Sequence, residues 1–121
     1  MKYVYAILSW GIVALGTVHM LATFRIFHTL SNAAIWFFSG GIALVLTGSI
    51  NLLHRNYGRI APGLRAVCIG TNILMTIFGV VSGIVTHAGI AGFTLVLGLL
   101  GGATILSLSR GALVQPAELP Q

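Results

Sequence analysis

The residues of this chain best suited to chemistry are four histidines, His19, His28, His54 and His87. A neutral imidazole ligates haem iron, Zn²⁺ or Cu²⁺, hydrogen-bonds a quinone carbonyl, and titrates near physiological pH. No HxxxH or HExxH spacing occurs, so a metal site would have to be assembled from separate segments. His19 and His87 each stand near the end of a separate apolar block. They are positioned to converge on a pocket with Trp36, with His28 folding over it. The competing reading keeps His19 neutral and bonded to a neighbouring helix, with His28 and His87 in an interfacial layer.

Two amides form the next pair. Asn51 and Asn72 lie inside apolar blocks, where an unpaired amide is costly. They suit either a polar path or interhelical glue, which is worth about 0.6 kcal/mol on average. Arg55, Arg59 and Arg65 cluster between two blocks, where they suit an anionic lipid head group or a topology signal. The only acidic residue is Glu118, so no apolar block contains a carboxylate. Carboxylate-pair catalysis within these blocks is therefore excluded, as is proton coupling through an intramembrane Asp or Glu. There is no nucleophile elbow, Walker loop or dinucleotide fingerprint. An acid–base role for histidine remains open. Cys68 is the single cysteine, so no intrachain disulfide exists, and it reads as a reduced packing residue.

The elements that must carry these groups are unusual for a soluble protein. Charged residues make up 6% of the 121-residue chain and apolar residues 57%, against about 25% charged in ordinary domains. Four apolar stretches, about 3–23, 33–53, 64–86 and 90–108, each have the length needed to cross a bilayer as a helix, roughly 20 residues. The predicted fold is all-α: an up-down-up-down bundle of four transmembrane helices over residues 1–109, with a loose tail over 110–121. Lys2 before an apolar run resembles a signal peptide, but the run is long and lacks small residues at a cleavage site, so it is read as a retained helix. Ser31 or Asn32 is placed to cap the second helix, Pro62 to open the third, and His87-Ala88-Gly89 to make a tight turn.

Each block has a polar or small-residue stripe at helical spacing. In the first it is Ser9, Ile12, Gly16, His19 and Thr23. In the second it is Trp36, Gly40, Ala43, Thr47 and Asn51. The third has Asn72, Thr76, Gly79, Gly83 and then Thr86 or His87, and the fourth has Thr94, Gly98, Gly101 and Gly102. Gly98 and Gly102 form a GxxxG pair, a close-approach motif of membrane helices. Gly40, Thr47, Asn51, Asn72, Gly79, Gly83, Gly98 and Gly102 are thus the expected packing and glue positions. Four helices of this size are expected to leave little interior volume, which favours self-association or a larger membrane complex.

The formal charge of +5 is not a nucleic-acid signal. Lys2, Arg55, Arg59, Arg65 and Arg110 fall on one side of a four-span topology and Arg25 on the other. The positive-inside rule then places both termini in the cytoplasm. His19 lies about 6 Å below the opposite interface at 1.5 Å per residue, with Trp36 at similar depth.

Gly16-Thr17-Val18-His19, the run Leu30 to Gly41 and Ile50-Asn51-Leu52 resemble small bacterial four-helix inner-membrane proteins of unknown function. Those are loosely similar to DoxX-type membrane proteins in size and helix number. The resemblance implies a bacterial inner membrane and lends no activity or site residue. Three functions fit the residues. The first is a structural or accessory membrane subunit or oligomer, contacting lipid and other chains. The second is binding of a small ligand, haem, metal or quinone near His19, Trp36 and His87. The third is a small-molecule transporter or channel.

Overall fold

All four apolar stretches fold as helices in the computed structural model, which describes residues 1–115 and 117. They are α1 (Lys2–Ile26), α2 (Asn32–Tyr57), α3 (Pro62–Val85) and α4 (Ile90–Leu108), followed by a short 3₁₀ turn, Arg110–Ala112. Each of the four is long and apolar enough to cross a membrane. Large apolar side chains such as Ile7, Trp10, Leu74, Ile77 and Ile105 lie exposed on the outside. Helices apolar on both inner and outer faces suit a bilayer rather than water.

Local signals set the helix ends. The Ser31 side chain accepts from the Ala34 N–H at 3.2 Å and caps α2. Pro62 occupies the first turn of α3, where its missing N–H costs nothing. His87 makes the turn before α4 with φ 50°, a left-handed backbone in a non-glycine residue. α1 and α2 run three and four residues past their expected ends. The basic residues that mark those ends are held within the helices: Arg25 lies in the last turn of α1, where a cation favours the helix dipole. Near the end of α2, Arg55 Nε donates to the Lys2 carbonyl at 2.9 Å.

Glycines set the closest packing, between α1 and α2. A Cβ on Gly16 would lie 2.6 Å from the Gly41 carbonyl oxygen, and one on Gly48 would lie 2.7 Å from the Ser9 carbonyl oxygen. The two backbones touch there, and position numbers rise along one helix as they fall along the other. The expected α1 stripe is the buried one, with Ser9, Ile12, Gly16 and Thr23 all covered. On α2 the stripe holds at Thr47 and Asn51, but the buried row beyond them runs through Leu44 and Gly41 rather than Ala43 and Gly40. The reason is that α2 presents Gly41 and Gly48 to α1 and so turns Gly40 toward His19. α3 meets α4 where Gly79 faces Leu100 and Val96 and where Gly83 lies directly under the Phe93 ring. The GxxxG pair of α4 is divided: a Cβ on Gly102 would lie 2.9 Å from the Leu8 side chain of α1, whereas one on Gly98 would meet nothing within 4 Å.

The segment after α4 is docked rather than loose over its first residues. Ala112, Leu113 and Val114 are buried, and Leu113 joins a core with Tyr5, Ile12, Leu44, Leu100 and Ala103. The Val114 N–H donates to the Arg55 carbonyl at 2.8 Å. Apolar side chains at 112–114 supply burial that the count of prolines in this segment hid. Glu118, Pro116 and Pro120 lie outside the described residues.

Gly16→Ala should lower the thermal unfolding midpoint in detergent, with a loss of about 1–3 kcal/mol from overpacking. Gly70→Ala, where nothing stands within 4 Å, should leave stability equal or raise it by up to about 1 kcal/mol through helix propensity. Equal midpoints for the two variants would contradict the tight α1–α2 contact.

Candidate functional site

Two places in this bundle stand out, a polar cluster towards one end and a mostly apolar cavity towards the other. The first is fully buried and joins α1, α2 and α3. Asn51 and Asn72 pair through two amide bonds: Asn51 Nδ2 donates to Asn72 Oδ1 at 3.0 Å, and Asn72 Nδ2 donates to Asn51 Oδ1 at 2.7 Å. Tyr5 Oη donates to Asn51 Oδ1 at 2.8 Å and lies 2.9 Å from His54 Nδ1. Cys68 Sγ donates to Asn51 Oδ1 at 3.0 Å. On the far side, Thr104 Oγ1 of α4 approaches the Asn72 carbonyl at 3.3 Å and Thr76 Oγ1 at 2.9 Å. The network therefore reaches all four helices.

The tyrosine hydroxyl has one proton to give. If His54 carries its hydrogen on Nδ1, it donates to Tyr5 and Tyr5 donates to Asn51. If the hydrogen is on Nε2, Tyr5 donates to His54 instead. In either tautomer Nε2 makes no hydrogen bond among the described residues. It is closed off by Gly58, where a Cβ would lie 2.8 Å from Nε2. Gly58 is needed for this close approach and not for its backbone angle, since φ is −63°.

Asn51 and Asn72, paired in the sequence reading, are hydrogen-bonded to each other across α2 and α3. Tyr5, His54 and the bonding role of Cys68 are additions to that pair. The signals for the first two were present. Tyr5 lies four residues before Ser9, one turn further along the α1 stripe. His54 lies three after Asn51, and α2 extends past it to Tyr57. Reading His54 as a connection residue hid its burial. All five side chains are enclosed, so the cluster sets helix register and offers no surface to a substrate.

The second place is a cavity of about 630 Å³ at the other end, between the α1–α2 pair and the α3–α4 pair. The expectation of little interior volume fails here because the pairs part company beyond the polar cluster. Glycines at 40, 79, 83 and 92 leave room along the walls. His19 and Trp36 both line the cavity; His28 and His87 do not. At the α3–α4 turn it is Thr86 and Ala88 that reach the cavity wall, while His87, between them, is exposed.

The His19 ring stacks on Phe37, with centroids 3.8 Å apart and planes 17° from parallel. Phe37 in turn meets Phe27, 5.7 Å away. Gly40 stands beside His19 Nε2: a Cβ there would lie 3.6 Å from that nitrogen, an ordinary contact. Trp36 is 72% exposed and stands at the mouth. The walls otherwise are Leu15, Met75, Phe78, Phe93 and similar apolar groups. The Thr86 hydroxyl is already committed to the Ser82 carbonyl at 2.7 Å. Among the described residues no three His, Cys, Asp or Glu side chains form a metal-holding group. What the cavity can do is enclose an apolar body and meet one polar atom of it with an imidazole.

Removing Asn51 should be the most damaging change in the polar cluster. Asn51→Leu removes both amide bonds of the buried Asn72 side chain, at about 1–3 kcal/mol for each unmet polar atom, and should lower the unfolding midpoint well below that of Cys68→Ala. Equal midpoints for the two would show that Asn51 is not the centre of the network. Compared with known protein families, curated proteins and solved structures, the chain matches none.

Proposed function

We propose that this chain is a multi-pass protein of a bacterial inner membrane and that it holds a lipid-soluble small molecule between its two helix pairs. The four helices run up-down-up-down with both termini cytoplasmic. Lys2, Arg55, Arg59, Arg65 and Arg110 at one end, against Arg25 at the other, support that orientation. The observation that carries the binding reading is the cavity of about 630 Å³ with His19 and Trp36 on its wall. Its size falls within the range typical of small-ligand sites, about 300–1,000 Å³.

The chemistry of the lining favours a compound of the quinone class: a flat ring with a carbonyl oxygen and an apolar chain. Phe37, Phe78 and Phe93 offer aromatic surface for the ring. The His19 imidazole donates one hydrogen bond to the carbonyl, and the Trp36 indole N–H is the second donor in reach of the mouth. Haem held by two imidazoles has less support, because His19 has no second histidine beside it at the cavity wall. The protein's part is to desolvate the ring and orient its carbonyl.

Extraction of the detergent-purified protein with organic solvent, followed by mass spectrometry, tests this reading. A quinone-class molecule in stoichiometric amount is the expected result. His19→Leu should lower its retention about fivefold, the worth of one hydrogen bond, and Gly40→Leu should abolish it by filling the space beside Nε2. Finding phospholipid alone in extracts of a folded protein would overturn the proposal.

One observation favours a second reading, that of a subunit or oligomer. On α4, Gly98 and Gly101 have nothing within 4 Å, which leaves a face open to close approach by another helix. A monomeric mass by light scattering in mild detergent, with no cross-linked partner, would count against it.

A further inference from the structure

The end of the bundle that carries the polar cluster also draws positive charges together. Arg59 Nη2 donates to the Arg110 carbonyl at 2.7 Å, and Arg65 Nη2 donates to the Leu108 carbonyl at 3.1 Å. Two guanidinium groups, from the α2–α3 connection and the first turn of α3, are therefore tied to main-chain oxygens two residues apart. Arg110 adds a third charge to the same short segment. A carbonyl fixes a guanidinium in place but does not neutralise it. No carboxylate stands among the described residues, and the single Glu118 of the chain is outnumbered by these three arginines. Like charges brought close repel one another, and an anion shared between them relieves that repulsion.

The surroundings indicate what kind of anion. Ile60, Val67, Ile105 and Leu108 are exposed at 60%, 58%, 70% and 54%, so apolar surface lies next to the charges along α3 and α4. A free inorganic anion has no use for that surface. A phosphate that carries acyl chains does. We propose that Arg59, Arg65 and Arg110 form a binding site for the phosphate of an anionic phospholipid, with its acyl chains lying along Val67, Ile105 and Leu108. The remaining N–H groups of each guanidinium are the donors, in the fork geometry that suits phosphate oxygens. Occupancy of this site holds the α2–α3 connection against the end of α4, because the same arginines that meet the lipid are tied to the Leu108 and Arg110 carbonyls. The site is separate from the His19 cavity and does not depend on what that cavity holds.

Native mass spectrometry of the detergent-purified full chain, titrated with phosphatidylglycerol or with phosphatidylcholine of the same acyl chains, tests the site. Phosphatidylglycerol adducts are expected at concentrations where phosphatidylcholine gives none. Arg110→Gln keeps the carbonyl that Arg59 uses and should weaken phosphatidylglycerol binding about fivefold, as expected for about 1 kcal/mol per basic residue near an anionic surface. The Arg59→Gln/Arg65→Gln pair should weaken it further, and Arg25→Gln, at the opposite end, should not change it. Equal adducts with both lipids, or undiminished binding in Arg110→Gln, would overturn the proposal. Displacement of the lipid by millimolar inorganic phosphate would reassign the site to a free anion and overturn it as well. If the double variant fails to fold, the lipid comparison and Arg110→Gln still decide the matter.

Discussion

A buried amide surrounded by hydrocarbon has to find its partners inside the protein, and this bundle is arranged around that requirement. Asn51 sits where Tyr5, Cys68 and Asn72 can all reach it, so three helices are fixed by the hydrogen bonds of one side chain. Apolar contacts alone would not select this register. One leucine-rich helix face slides over another at little cost, whereas an amide displaced by one turn loses every bond at once. The carbonyl oxygen of Asn51 is the point on which α1, α2 and α3 agree.

The consequence is an unequal bundle. At the polar end the four helices are drawn together, and the chain beyond α4 closes over them through Leu113 and Val114. At the other end the described residues form no such network. There α1 is held to α2 through Gly16 and Gly41, and α3 to α4 through Gly83 and Phe93, while the two pairs stand apart. The cavity occupies the gap. A hydrogen-bonded end and a parted end let the four helices keep a fold without filling the space between the two pairs.

The arginines at the polar end obey the same accounting of polar groups. Helix C-termini leave backbone carbonyls without intrahelical partners; Arg65 donates to one at the end of α4, that of Leu108, and Arg59 donates to the Arg110 carbonyl just beyond it. Arg55 donates to the Lys2 carbonyl in the first turn of α1 and so ties the end of α2 to the start of α1.

Much of this protein was legible in the chain. Four long apolar runs with polar breaks admit four membrane-length helices and little else, because backbone in hydrocarbon must bond to itself. The α1 stripe from Ser9 to Thr23 and the pairing of Asn51 with Asn72 were visible too, since helical spacing and the cost of a lone amide are local facts. The partners of those amides were not. Whether Tyr5 and His54 join Asn51 depends on how far α2 continues and how α1 lies against it, and that is decided by Gly16, Gly41 and Gly48 in contact. Tertiary structure likewise separated the histidines, bringing His19 to the cavity wall and leaving His87 in an exposed turn. It also divided the GxxxG pair of α4, giving Gly102 a neighbour and Gly98 none. Sequence determined which residues need partners; the meeting of helix surfaces decided which partners they obtained, because that choice rests on contacts between segments far apart in the chain.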